Sequence, residues 1–262
     1  MLALLSRAAS GLPPLQLTAM SFGVSGVLGL VWLAARGRLR DLRQPPLAWL
    51  HGVGGLFGFH ALYFASLARA PAAAANLINY TWPLLLVLLS AAMLGMRLTW
   101  RHGAGTALAL AGCAALLAGG AAFPAGAALG YALAGASAVT WALYSVLARR
   151  FPGVPVGAMA GFCAGTAVLA GGLHLLTEAT FVPGAEAWAA VLALGVGPVG
   201  AAFALWDRGM KRGDPRLLGT LAFATPVLST LLLAAAGFAP FTPVMLGAAV
   251  LVAAGGFIAS RG

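Results

Sequence analysis

The chain has 262 residues, of which 61% are hydrophobic and 8% charged, with a mean hydropathy of +0.96. A soluble domain carries about 25% charged and about 45–50% apolar residues, so lipid is the solvent that most of this chain requires. The net charge of +10 is spread between apolar runs rather than gathered into a patch, which argues against nucleic acid and fits membrane loops.

Spanning the hydrocarbon takes about 20 apolar residues in a helix. Eight or nine such runs follow one another: 15–35, 47–68, 72–94, 102–120, 127–148, 154–177, 187–206, 217–236 and 242–260. The early apolar stretch is followed by more of the same kind, so it reads as part of a span set and not as a signal peptide. Many Gly and Ala within the runs suit close helix packing in lipid. Cys113 and Cys163 fall inside apolar runs, without a CxxC spacing, and read as buried hydrophobes.

The basic residues alternate. Of the 15, all but Arg7 and Arg69 fall after the first, third, fifth, seventh or ninth run. Those loops are therefore expected to be cytoplasmic, as is the C-terminus.

The sequence also matches itself at an offset of 143. Gly52-Val53-Gly54 lands on Gly195-Val196-Gly197, Pro83 on Pro226, Thr99 on Thr242 and Gly112 on Gly255. Five spans per copy would invert the second copy, the plan of many secondary transporters. The fold expected is all-α and integral to the membrane, with ten transmembrane helices in two inverted repeats, 1–120 and 121–262. The partner of the fifth run would begin before Met1, so the first helix is expected to be incomplete in this numbering, with 1–10 as its remnant.

Asn76-Leu77-Ile78-Asn79-Tyr80-Thr81-Trp82-Pro83, followed by a Leu-rich helix and Leu94-Gly95-Met96-Arg97, resembles the EamA-type members of the drug/metabolite transporter superfamily. Within it the string is most similar to the aromatic amino acid exporters. The resemblance covers essentially the whole chain and implies export of amino acids, without a cofactor. Family members commonly carry Glu after the Leu-Gly, where this chain has Met96.

Polar side chains within a span face the bundle or a water-filled cavity. Asn76, Asn79, Tyr80 and Pro83 share one helix face, with Trp82 beside them, and are the first substrate-binding candidates. The alternative for the two Asn is hydrogen bonding between helices. Pro83 frees a carbonyl near Asn79 and is expected to kink its helix, as is Pro226 in the second copy. His60 and Tyr63 lie one turn apart, with Phe57 on their stripe, and Trp206 is the repeat equivalent of Tyr63. A bond from His60 to a neighbouring helix is the alternative there. Ser137, Trp141 and Tyr144 form a third stripe, whereas Trp32, Trp49, Trp100 and Trp188 near span ends read as interface anchors. Such stripes would line a cavity with rings and a few polar groups, suited to an amphiphilic solute with an ammonium.

All five acidic residues map to loops or span ends, leaving His60 and the less central His174 as titratable candidates for a proton relay. Proton-coupled carriers commonly use an intramembrane carboxylate, so transport without proton coupling is expected. The reading is an inner-membrane exporter of aromatic and other large neutral amino acids, working by alternating access. Its partners are the small-molecule substrate and membrane lipid, and its working unit is a monomer or a dimer. An exporter of drugs or other metabolites is the alternative. A lipid-modifying enzyme would need a catalytic cluster and a channel a charged or carbonyl-lined filter, and neither is evident.

Overall fold

The computed structural model describes residues 11–119, 122–235, 237 and 240–262. The leading segment 1–10, expected as a helix remnant, lies outside the described residues, as does the end of the run expected to reach residue 236.

Among the described residues the regular structure is helical: α1 (Pro14–Ala35), α2 (Pro46–Leu67), α3 (Ala72–Asn79), α4 (Trp82–Leu94), α5 (Trp100–Ala118), α6 (Ala128–Leu147), α7 (Ala158–Thr177), α8 (Ala185–Leu194), α9 (Ala202–Arg212), α10 (Pro215–Ala222), α11 (Ala224–Ala235) and α12 (Pro243–Ala259). A π-helical segment, Gly195–Ala201, joins α8 to α9. Among the described residues six stretches are long and apolar enough to cross a membrane: Pro14–Ala35, Ala72–Leu94, Ala125–Arg150, Ala158–Thr177, Ala185–Arg212 and Pro215–Leu232.

Local chemistry sets the ends. Thr99, Asp214 and Thr242 precede α5, α10 and α12 in extended backbone, the N-cap conformation. Gly95 ends α4 at φ +67°, a left-handed conformation that costs glycine little. The N-terminus of α1 is capped from a distance: the Glu178 carboxylate accepts from the Leu15 N–H at 3.1 Å and the Gln16 N–H at 3.2 Å. This satisfies donors that no helix can satisfy internally.

Some helices differ from their apolar runs. The run ending at Trp206 continues as helix to Arg212, because backbone bonding needs no apolar side chains and Asp207 pairs with Lys211 at 2.8 Å one turn on. The run beginning at 217 starts at Pro215 and breaks at Phe223.

The chain divides into two compact units. The first combines the described part of Met1–Phe64 with Leu147–Lys211, and the second combines Ala65–Val146 with Arg212–Gly262. In the first, α1 and α7 run antiparallel, with Gly23 against Ala167, Gly26 against Ala164 and Gly29 against Ala160. A Cβ on Gly29 would come within 2.6 Å of the Ala160 Cβ, so the crossing depends on glycine. In the second, α5 and α12 also run antiparallel. A Cβ on Gly105 would overlap the Gly255 carbonyl, one on Gly255 would overlap the Gly105 carbonyl, and one on Gly112 would lie 2.9 Å from the Ala248 carbonyl. Phe223 and Val227 pack beside this pair with Ala109, Cys113, Ala248 and Val252.

Candidate functional site

The candidate residues fall into two clusters, one in each unit. In the second unit the helix carrying Asn76 and Asn79 is interrupted at Tyr80 and Thr81, before Pro83. Proline has no N–H to give the Asn79 carbonyl, and the Thr81 hydroxyl turns back to the Ile78 carbonyl at 2.7 Å. The corresponding break in the other copy is at Phe223, before Pro226, and Tyr80 packs against the core that contains Phe223.

Asn79 is 5% exposed, and its side-chain oxygen lies 2.8 Å from the Ser137 hydroxyl, which also reaches the Ala134 carbonyl at 2.7 Å. The carboxamide is thus held from α6. Trp82 meets Trp141 edge to face at 6.2 Å between centroids, and Trp141 meets Tyr144 at 5.2 Å. Two of the stripes read from the sequence therefore join here, one from α3 and α4 and one from α6. Asn76 is half-buried on the same helix.

In the first unit His60 sits among rings. Phe22 lies edge to face at 4.9 Å, Phe59 at 5.0 Å and Phe203 at 6.2 Å. Tyr63 stacks on Phe59 at 5.9 Å, with the planes 2° apart. His60 Nδ1 is 2.7 Å from the Leu56 carbonyl. A carbonyl only accepts, so Nδ1 carries a hydrogen, and in the neutral ring that leaves Nε2 as the acceptor. Trp206 lies one turn beyond Phe203 on α9, and Phe57 is half-buried on α2.

Phe22, Phe59 and Phe203 are absent from the sequence-derived set. Phe203 had a signal, because the offset of 143 that relates Tyr63 to Trp206 relates His60 to Phe203. Phe22 had only its place as the aromatic residue midway along the first span. Of the four Trp read as anchors, Trp32, Trp100 and Trp188 are exposed, whereas Trp49 packs edge to face on Phe162 at 5.3 Å. His174 lies at the end of α7, with Nδ1 2.9 Å from Glu178 and Nε2 3.0 Å from the Thr180 hydroxyl, and so serves the cap on α1.

Comparison with known proteins adds to this geometry. Residues 1–118 and 128–261 match the EamA-like transporter family. The chain is 49% identical to the aromatic amino acid exporter YddG of Ancylobacter novellus, over 99% of this chain and 92% of that one. It is 27% identical to the aromatic amino acid exporter YddG of Salmonella typhimurium, over 98% of this chain and 91% of that one. A probable terminal-alkyne amino-acid exporter of Streptantibioticus cattleyicolor is 28% identical, over 78% of this chain and 67% of that one. A solved crystal structure with 48% sequence identity superposes with a TM-score of 0.95, covering 99% of this chain and 91% of the other.

Proposed function

Because the chain belongs to the EamA-like transporter family and is a multi-pass membrane protein, we propose that it exports aromatic and other large neutral amino acids across the bacterial inner membrane by alternating access. The observation that carries this reading is that each unit pairs aromatic faces with a polar group fixed by hydrogen bonds. One has His60 Nε2 among Phe22, Phe59 and Phe203, and the other has the Asn79 carboxamide beside Trp82 and Trp141. An imidazole acceptor and ring faces suit an ammonium, while a carboxamide and an indole suit a carboxylate and a ring. The names of the relatives support the same substrate class.

We read the chain as ten spans in two inverted repeats, 1–120 and 121–262. Support comes from partner exchange across the α5–α12 crossing. The offset of 143 takes Gly112 to Gly255 and Gly105 to Ala248, so the Gly112–Ala248 contact is the counterpart of the Gly105–Gly255 contact. Repeat-related helices that pack antiparallel are what an inverted repeat produces. The C-terminus is then cytoplasmic, substrate binds from that side, and transport runs down its gradient without a proton.

The test is radiolabelled amino-acid flux in proteoliposomes without ion gradients, comparing wild type with Trp82→Ala, Asn79→Ala and His60→Ala. We expect saturable phenylalanine flux, lowered about tenfold or more by each substitution, in line with about 1.4 kcal/mol or more of lost binding. An imposed pH gradient should leave the flux unchanged, and proton-driven accumulation would overturn the uncoupled reading. Folded protein that carries drugs or other metabolites but no amino acid would move the assignment to the other branch of the superfamily.

A further inference from the structure

The first unit carries a groove of about 600 Å³ whose lining includes none of the residues around His60. It follows α1 from Ser25 to Leu33, about 12 Å at the helical rise. Its floor is made by small residues, Gly29 and Ala160 at the α1–α7 crossing and Gly200 of the π segment. Its rim is apolar and outward-facing, with Leu28 50%, Trp32 47% and Val196 56% exposed. On a spanning helix such a trench is filled by hydrocarbon.

The end of the trench is charged. Arg38 lines it, and the guanidinium carbons of Arg36 and Arg38 lie 5.6 Å and 5.7 Å from the Trp32 ring. Asp41 is 8% exposed and would be overlapped by a Cβ on Gly157, so it is seated against the start of α7. It holds Arg38 Nη2 at 2.7 Å, which orients the guanidinium and leaves further N–H donors for another anion. Arg36, Arg38, Arg40 and Arg43 all lie near this one carboxylate in the sequence, so the segment stays strongly positive. Among the described residues that line the trench the one charged side chain is Arg38, and the nearby Asp41 carboxylate is already held on it.

We propose that this groove binds one anionic phospholipid, with an acyl chain in the trench and the phosphate on Arg36 and Arg38. The geometry is an apolar slot about 12 Å long, with the Arg38 guanidinium in its lining and that of Arg36 near the same Trp32 ring, the chemistry that recognises phosphate. The inference rests on the membrane location of the chain and is independent of which solute is carried.

The test is native mass spectrometry of the delipidated full chain, titrated with phosphatidylglycerol and phosphatidylcholine of the same acyl composition. We expect a single phosphatidylglycerol adduct, about tenfold tighter than phosphatidylcholine. The Arg36→Gln/Arg38→Gln pair should abolish the preference. Ala201→Phe should block the adduct while leaving every charge in place, and Ala204→Leu, also in the lining, serves if that variant fails to fold. Arg101→Gln, an exposed position in the second unit, should change nothing. Equal binding of the two lipids, or binding that survives filling of the trench, would reduce the effect to general attraction by basic loops and overturn the proposal. Displacement of the adduct by free phenylalanine would assign the groove to the solute and overturn it as well.

Discussion

Asn79 illustrates how a single polar side chain is set in this fold. Buried at 5% exposure, its carboxamide oxygen has the Ser137 hydroxyl at 2.8 Å. Interhelical bonds of this kind in membranes contribute only about 0.6 kcal/mol on average, because the separated helices find other partners. Ser137→Ala should therefore leave the protein folded, lowering unfolding stability by about that amount. Its larger effect should be on transport: with the carboxamide released, we expect KM for phenylalanine to rise severalfold, with little change in maximal flux. Asp214, outside the spans, plays a different part. Its carboxylate accepts from the Arg216 side chain and from the Arg216 backbone N–H at 2.8 Å, which holds its pKa below the ordinary 3.8. A depressed carboxylate contributes its stability above the ordinary value and loses it as pH falls through the folded one. Asp214→Asn should cost about 1 kcal/mol or less at neutral pH, since much of the group is solvent-screened. The gap between variant and wild type in a thermal melt should close as pH drops below about 4, near the ordinary carboxylate range.

At the scale of elements, small residues decide which helices meet. Gly105 and Gly103 lie on the same helix, yet a Cβ at Gly105 would overlap the Gly255 carbonyl whereas one at Gly103 meets nothing within 4 Å. The two alanine substitutions should therefore act with opposite sign. Gly105→Ala should destabilise by about 1–3 kcal/mol through overpacking. Gly103→Ala should stabilise by up to about 1 kcal/mol, because alanine loses less backbone entropy in a helix. Equal effects in a denaturant titration would mean that α5 and α12 do not meet in this way. The long helical stretch Ala185–Arg212 contains a contrasting device, a π segment around Pro198 with glycine at 195, 197 and 200. Proline removes one backbone donor, and the wider turn accommodates the loss without ending the helix.

For the molecule as a whole, the two compact units differ from the two stretches that match the transporter family. Each unit takes helices from both stretches, α1 with α7 in one and α5 with α12 in the other. The distribution of basic residues is a property of the whole chain as well. A reporter fused after Gly262 should be active if it folds only in the cytoplasm and inactive if it requires the periplasm. The reverse pattern would invert the assignment of every loop.

The share of the fold legible in the sequence is the part that lipid imposes residue by residue. Apolar runs mark helices because every backbone group must be bonded within the span, and Pro83 marks the break at Tyr80 because its missing N–H acts locally. The face of Asn76, Asn79, Tyr80 and Pro83 and the Ser137, Trp141 and Tyr144 stripe are legible as helical periodicity, and His60 and Tyr63 as a spacing of one turn. That Ser137 holds Asn79 and Trp141 meets Trp82 is not, since periodicity fixes which way a side chain points from its own helix and carries no term for the helix opposite. The same holds for Phe22 against His60, for Glu178 at the start of α1, and for the pairing of glycines across α5 and α12. Sequence by itself determined the solvent, the helical runs and the weak point at Pro83, because those energies are local. Which faces touch was decided by tertiary packing, where shape complementarity between distant segments selects among many equally apolar surfaces.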